Sequence, residues 1–444
     1  MPLTAFLAGL LILAVALVET VNWRRTGRLT FLSAANALIV VGYALPAFIL
    51  WLAPGTAYAE GLWHGELYIL RLARTLSLPD GAQVSSMVIL LGAYAVMVAA
   101  YAACIRLPVG AFSDRRLPTG LLWAIAGGLG GVAITAILLY GSQFQDLRDF
   151  FTSGWLVRTG KRQVHLGFLQ VLAQLGLPAF LVAVAIAVRT QGWARRLSIA
   201  LACLAFAAVL ARSVHVSSRL ESGATLFAPV LAGIFLMRMR RWTYAATGAG
   251  VAAVLLLAAA PYHLFIDPMA VLPGMVSNLF ADLDRVILYI LKDFSFPHLA
   301  AAHTLTVVPD QIPFRYFIDV PLGALYMLPN FSGVETLPPM ILSLHVQLLR
   351  WIPVDLFSFG YYSLGTSGVL ITFAVFGAAL ALFDLWLTES VGWLGQALRA
   401  AWLFYLPFRL FYADPYAAAQ TGFGLIIGTL IILLASRLSH GREK

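Results

Sequence analysis

Charge is scarce in this chain. Asp, Glu, Lys and Arg make up 11% of its 444 residues, where soluble domains carry roughly a quarter. Hydrophobic residues make up 61%, so most of the chain cannot face water, and no separate hydrophilic domain is appended. Cysteine is almost absent: Cys104 and Cys203 both lie in or beside apolar runs, which excludes a disulfide framework and a cysteine-based metal site. No basic residue precedes the first apolar run, MPLTAFLAGLLILAVALVET; Arg24, Arg25 and Arg28 follow it. A cleaved signal peptide carries a positive leading region, so this stretch reads as a retained first helix with its N-terminus outside. HExxH and other metal-ligand spacings are missing as well. The DLD at Asp282 and Asp284 falls on an amphipathic stretch, where a solvated face is the plainer reading. No metal and no cofactor are expected.

What is present is a series of apolar runs. A helix that crosses a bilayer needs about 20 mostly apolar residues. That criterion predicts spans near 3–21, 30–52, 86–105, 119–140, 166–188, 197–211, 224–237, 243–262, 361–387, 394–412 and 420–436. The expected fold is therefore a single all-α polytopic integral membrane domain of about 11 (10–12) transmembrane helices. Eleven spans with the N-terminus outside leave the C-terminus in the cytoplasm.

Lys and Arg should collect on the cytoplasmic side. Three recur at every predicted inner connection: Arg24/Arg25/Arg28, Arg106/Arg115/Arg116, Arg189/Arg195/Arg196, Arg238/Arg240/Arg241 and Arg437/Arg442/Lys444. With Arg399, that side holds 16 of the 29 basic and 5 of the 20 acidic residues, a net +11. The other side has 13 basic and 15 acidic residues, a net −2, which together reproduce the overall +9. The basic balance follows from membrane orientation and requires no nucleic-acid partner.

The outer segments 53–85, 141–165, 212–223 and 263–360 are longer and richer than the inner turns. LFADLDRVILYILKDF, MILSLHVQLLRW and GELYILRLARTL read as amphipathic helices lying in the interface plane, placed to roof a cavity. Seven of the eight histidines, including His165, His215 and His345, fall on this side. The most informative stretch is LSIALACLAFAAVLARSVHVSSRLESGATLFAPVLAGIFLM, which sets Arg212, His215, Ser217, Ser218, Arg219 and Glu221 between two spans that look too short to cross fully. Ionisable groups at such depth are costly and face a cavity or a partner. Two readings stand side by side. In one, Glu221 pairs with Arg212 or Arg219 and merely stabilises the turn. In the other, the arginines form a pocket for an anion, since a guanidinium fork matches phosphate oxygens. Arg148, Arg158, Lys161 and Arg162 make a second outer basic group, to which Arg285, Lys292, Arg315 and Arg350 add scattered charges.

Three stretches carry a family resemblance: LARSVHVSSRLESGATLFAPVLAGIFLM, FQDLRDFFTSGW with the following LGFLQVLAQLGLPAFLVAV, and IPVDLFSFGYYSLGTSGVLITFAVFGAAL. Together they resemble the Wzy-type O-antigen and oligosaccharide repeat-unit polymerases, and more distantly the O-antigen ligases. Ser218-Arg219 aligns with that family's SRG ahead of a long apolar helix, although Leu220-Glu221-Ser222 stands where glycine often follows. Arg212 with Gly223 meets the RX10G spacing, and His165 with Gly176 meets an HX10G spacing. Leu166 after His165 departs from the ligase motif, which favours polymerase over ligase.

The resemblance implies a GT-C-like, metal-independent membrane glycosyltransferase in the bacterial inner membrane. Its partners would be undecaprenyl-diphosphate-linked oligosaccharide and membrane lipids, with room for a chain-length regulator. Under that reading Arg219, Arg212 and Arg148 stabilise the diphosphate leaving group. His345, His215 and Glu221 are the candidates for positioning the acceptor hydroxyl. Arg158, Arg162, Ser218, Arg285, Arg315, Arg350, Tyr361 and Tyr362 would line the substrate, and Trp155 and Trp351 could stack on sugars or serve as belt residues. A lipid-linked glycan flippase or other transporter shares the hydrophobicity and orientation, though no repeat relates the two halves of the chain. A non-catalytic membrane subunit would leave the outer arginines unexplained. A topology reporter fused after Arg241 should read cytoplasmic and one fused near Pro309 should read outer; the reverse result would overturn the orientation.

Overall fold

The computed structural model describes residues 2–52, 78–113, 117–158, 162, 164–216, 219–236, 296–325, 354–388, 390 and 392–441. These are helical almost throughout, with no strand among them. In chain order the helices are α1 (Pro2–Thr26), α2 (Phe31–Ile39, a π turn Val40–Ala44, then Leu45–Leu52), α3 (Asp80–Cys104), α4 (Thr119–Gly141) and α5 (Leu147–Arg158). Then come α6 (Gly167–Leu172, a 3-10 turn Ala173–Leu175, then Gly176–Arg189), α7 (Gly192–His215), α8 (Arg219–Leu236), α9 (Phe296–Val307) and α10 (Asp319–Leu325). The last three are α11 (Leu356–Phe383, running into a π turn Asp384–Thr388), α12 (Trp393–Tyr405) and α13 (Pro415–Gly441).

Eight of these are long and apolar enough to cross a bilayer: Pro2–Thr26, Phe31–Phe48, Asp80–Cys104, Thr119–Gly141, Gly167–Arg189, Gly192–His215, Leu356–Thr388 and Ala417–Ser439. The chain is thus a multi-pass membrane protein, and its described residues are helical almost throughout. Several boundaries differ from the sequence reading, which followed apolar runs alone. The run 197–211 belongs to a 24-residue helix, α7. Its polar end stays helical because Arg212, Ser213 and His215 are buried in protein. The run 224–237 falls in α8, whose apolar part, Glu221–Leu236, is short for a span. The run 394–412 is the 13-residue α12 followed by a 3-10 turn, Pro407–Leu410. At about 1.5 Å per residue α12 is shorter than the hydrocarbon thickness. It is wrapped in protein instead, with Leu394–Tyr405 buried and Arg399 lying 4.4 Å over the Phe235 ring. The predicted span 243–262 and the three amphipathic stretches lie outside the described residues.

By its internal contacts the chain divides into two compact units. In the first (1–109, 284–384 and 406–418) α11 packs along α3, and α9 lies against α3, α11 and the π turn of α2. Close approach of α3 and α11 depends on Gly377, where a Cβ would lie 2.2 Å from the Met97 carbonyl oxygen. Thr30 caps α2: its hydroxyl accepts from the Ser33 amide at 3.1 Å, while Asp384 accepts from the Phe31 amide at 3.0 Å. In the second unit (110–283, 385–405 and 419–444) α4, α6 and α7 pack as a layer and α8 lies against α12. Gln174, at the 3-10 turn of α6, donates to the Gln420 carbonyl at 2.5 Å and accepts from the Gly424 amide at 3.3 Å. Buried side-chain amides of this kind join helices where lipid offers no partner.

Glycines separate into two kinds by their surroundings. An added Cβ at Gly128 meets nothing within 4 Å. Gly128→Ala should therefore leave the melting temperature unchanged or raise it, by up to about 1 kcal/mol of helix propensity. Gly377→Ala should lower it, since overpacking costs about 1–3 kcal/mol. Equal melting temperatures for the two purified variants would contradict the α3–α11 contact.

Candidate functional site

The hairpin of α7 and α8, in the second unit, brings Arg212 and Glu221 into an ion pair whose side chains are only 5% and 7% exposed. Around the pair, Ser222 donates to Ser213 at 3.0 Å and the Thr225 hydroxyl donates to the Glu221 carbonyl at 2.7 Å. This is the turn-stabilising pairing that the sequence left open as one of two readings. Arg212 is therefore neutralised by its own chain. Breaking a buried pair by removing one partner costs about 3–5 kcal/mol.

His215, the last residue of α7, is fixed on both ring nitrogens. The Phe150 carbonyl lies 2.7 Å from Nδ1 and can only accept, so Nδ1 carries the proton. Nε2 then accepts from the Tyr140 hydroxyl at 2.9 Å. The imidazole stacks on Phe150 with ring centroids 4.3 Å apart and meets Tyr140 and Phe144 edge-on. The helix carrying Phe150, α5, can come this near because of Gly154, where a Cβ would sit 1.7 Å from the His215 carbonyl oxygen. With both nitrogens committed, His215 holds α5 to α7 and has no lone pair left for an acceptor hydroxyl.

The same aromatic core carries the second basic group. Arg162 lies 4.8 Å over the Phe144 ring and grips Asp149 with two hydrogen bonds, 2.5 and 2.9 Å. Ser153 donates to the same carboxylate at 2.6 Å. Arg162 and Ser153 hold the Asp149 carboxyl well below the usual carboxylate range. Arg162 is 31% exposed along its side chain and Arg148 is exposed. Two basic groups fifty residues apart in sequence thus meet around Tyr140, Phe144 and Phe150. Sequence reasoning missed Tyr140, Phe150, Asp149 and Gly154. Asp149 and Phe150 were signalled only by the density of aromatic and acidic residues in FQDLRDFF, and Tyr140 and Gly154 by nothing in the pattern.

A second polar cluster lies in the first unit, where α11 is broken. Leu364 (φ −149°, ψ 29°) and Gly365 (φ 61°, ψ −146°) leave the helical conformation, and only glycine adopts the latter freely. The carbonyls released at Tyr362 and Ser363 accept from the Arg315 and Tyr316 amides, each at 2.9 Å. Tyr316 (φ 52°) and Phe317 (φ 59°) are held in the left-handed region, which costs about 1–2 kcal/mol for each non-glycine residue. Arg315 forms an ion pair with the buried Asp319, whose carboxyl burial pushes up and beside which the Tyr362 hydroxyl lies. Asp355 caps α11, accepting from Phe357 and Ser358 amides at 3.1 and 3.3 Å and from the Tyr43 hydroxyl at 2.7 Å. Tyr361 stacks on Phe357 with centroids 6.2 Å apart.

Of the remaining sequence candidates, Ser218, Arg285, His345 and Arg350 lie outside the described residues, as do the side chains of Arg158 and Arg219. Among the described residues no group of three or more His, Cys, Asp or Glu side chains is placed to hold a metal ion. Comparison with known protein families, with curated proteins and with solved structures finds no match.

Two measurements check these contacts. Arg212→Leu and Glu221→Leu should each destabilise the protein by about 3–5 kcal/mol, and the double variant should regain most of that loss. A coupling below about 0.5 kcal/mol in the cycle would mean that the pair does not form. For Asp149, a depressed carboxylate contributes stability above its ordinary value near 4 and loses it as the pH falls through the lower folded value. The melting difference between wild type and Asp149→Asn should then stay flat from about pH 5 to 8 and shrink only below about 4. A change between pH 5 and 8 would contradict the Arg162 clamp.

Proposed function

We propose that this protein polymerises polyprenyl-diphosphate-linked oligosaccharide repeat units at the periplasmic face of the bacterial inner membrane, as a metal-independent glycosyltransferase. One observation carries the reading beyond the sequence resemblance. The partly exposed Arg162 and the Arg212 hairpin share one aromatic core in the second unit. In the proposed reaction the bond between the donor's anomeric carbon and its phosphate oxygen breaks. The polyprenyl diphosphate leaves with the electron pair, and the acceptor hydroxyl forms the new glycosidic bond and releases its proton. Guanidinium groups near the membrane surface stabilise the charge that develops on the diphosphate.

The roles shift among the candidates. Arg162 and Arg148 become the first choices for contacting the diphosphate, with Arg219 beside the hairpin. Arg212 supports the hairpin through Glu221. Since His215 and Glu221 already have structural partners, the acceptor's proton must go to another group or to water, and His345 stays the candidate for that role.

A glycan flippase or transporter is the second reading, favoured by the break in α11 at Leu364–Gly365, since discontinuous helices mark substrate sites in many transporters. Loss of the protein decides between them: lipid-linked repeat units should accumulate on the periplasmic side for a polymerase and on the cytoplasmic side for a flippase. For the site itself, inorganic pyrophosphate should raise the melting temperature of the purified protein. Arg162→Ala and Arg148→Ala should weaken that effect tenfold or more, about 1.4 kcal/mol, and shorten the glycan in cells. Full-length chains from both variants at normal membrane abundance would remove the arginine site.

A further inference from the structure

Segment 310–321, bonded to α11 beside its break, has the opposite polarity to a loop in water. From Arg315 onward its residues alternate between buried and exposed. Arg315 and Asp319 form an ion pair that leaves their side chains only 10% and 0% exposed, and Phe317 packs on Phe359 at 5.7 Å. Tyr316, Ile318 and Val320 are 71%, 53% and 49% exposed, and Pro321 is exposed beside them. Water favours the reverse, since charged groups lose hydration when buried and apolar ones gain from leaving it. Exposed apolar side chains that stand together mark a contact surface. Backbone bonds from Arg315 to Tyr362 and from Tyr316 to Ser363 hold this one in place.

The depth of the segment follows from α11. Leu356–Thr388 has 33 residues and is about 50 Å long at about 1.5 Å per residue. A bilayer's hydrocarbon core is about 30 Å thick. The part after the break, Gly365–Thr388, is about 36 Å long and crosses that thickness unaided. Its exposed side chains change character along the way. Thr366 and Ser367, next to the break, are polar, whereas Ile371, Val375 and Leu382 beyond them are apolar. The break and the segment bonded to it thus stand at a membrane surface, the outer one in the predicted topology. We propose that Tyr316, Ile318 and Val320 are seated in the lipid interface there, with the tyrosine at headgroup level and the aliphatic pair against the upper acyl chains. Tyrosine is enriched at that level because its ring is apolar and its hydroxyl wet. Charge selects the kind of lipid surface. Asp310 is exposed, while Arg315, the only cation of the segment, is paired with Asp319. Anionic lipid is drawn by exposed Lys and Arg, so this contact rests on apolar burial and takes zwitterionic lipid equally well. The inference is independent of the polymerase reading.

The test uses the full-length protein with Cys104→Ser and Cys203→Ser, reconstituted in nanodiscs and spin-labelled at one new cysteine at a time. The positions are Ile318→Cys and Val320→Cys, with Gln311→Cys as the exposed polar reference and Val375→Cys as the reference within the span. Two lipid compositions are compared: phosphatidylcholine alone, and phosphatidylcholine with phosphatidylglycerol. Collision of the label with oxygen, which concentrates in lipid, is measured against collision with a water-soluble nickel chelate. At 318 and 320 the ratio of oxygen to nickel collision should be at least twice that at 311, below that at 375, and the same in both lipids. Nickel collision as frequent as at 311 would make the segment a water-facing surface and overturn the proposal. Poor collision with both reagents would mean that protein covers it, with the same consequence. A ratio that rises only with phosphatidylglycerol would mean that charge holds the segment to the membrane, which also overturns it. Both positions are exposed, so the label displaces no packed side chain, and Tyr316→Cys supplies a third position if either variant fails to fold.

Discussion

Where the backbone of this chain leaves the α-helical ladder, its freed polar groups have to be met inside protein, because lipid offers no partner. The break in α11 is closed by the amides of Arg315 and Tyr316, and the 3-10 turn of α6 is tied to α13 through Gln174. The π turn of α2 places Tyr43 on the carboxylate that caps α11. Each interruption thus becomes a crosslink between elements distant in sequence. Elsewhere, close backbone approach between helices depends on glycine, as at Gly154 and Gly377.

The same constraint governs the charges. Arg212 and Glu221 are adjacent in the hairpin and almost fully buried. An unpaired charge at that depth would be far costlier than the pair. Arg315 and Asp319 repeat the arrangement in the first unit. Arg162 differs, since its pair with Asp149 is partly exposed and lies over an aromatic ring. That difference moves the proposed anion contact from the buried arginine to the partly exposed one, and it leaves Arg212 as a support for the hairpin.

Several features were legible in the order of residues. Long apolar runs mark the eight helices among the described residues that can cross a bilayer, because a span needs a minimum length of apolar side chains whatever surrounds it. The hairpin at 212–221 was legible as a polar interruption, and its ion pair was one of two stated outcomes. The reading of α7 as too short failed, because hydropathy alone ends a helix where polar residues begin. Buried in protein, Arg212, Ser213 and His215 continue it. The run 394–412 failed for the complementary reason: α12 is apolar because neighbouring helices cover it, while its length is too small for a crossing.

The sequence by itself determined that this is a multi-pass helical membrane protein rich in basic residues at its predicted inner turns, since hydropathy and charge are local properties. Tertiary structure decided which polar groups are already committed to partners. Glu221 and His215 could not be ruled in or out from spacing, because their partners Arg212, Tyr140 and Phe150 are chosen by packing. The break at Leu364–Gly365 likewise depended on tertiary structure, for its stability comes from a loop some fifty residues earlier that supplies the two missing amide donors.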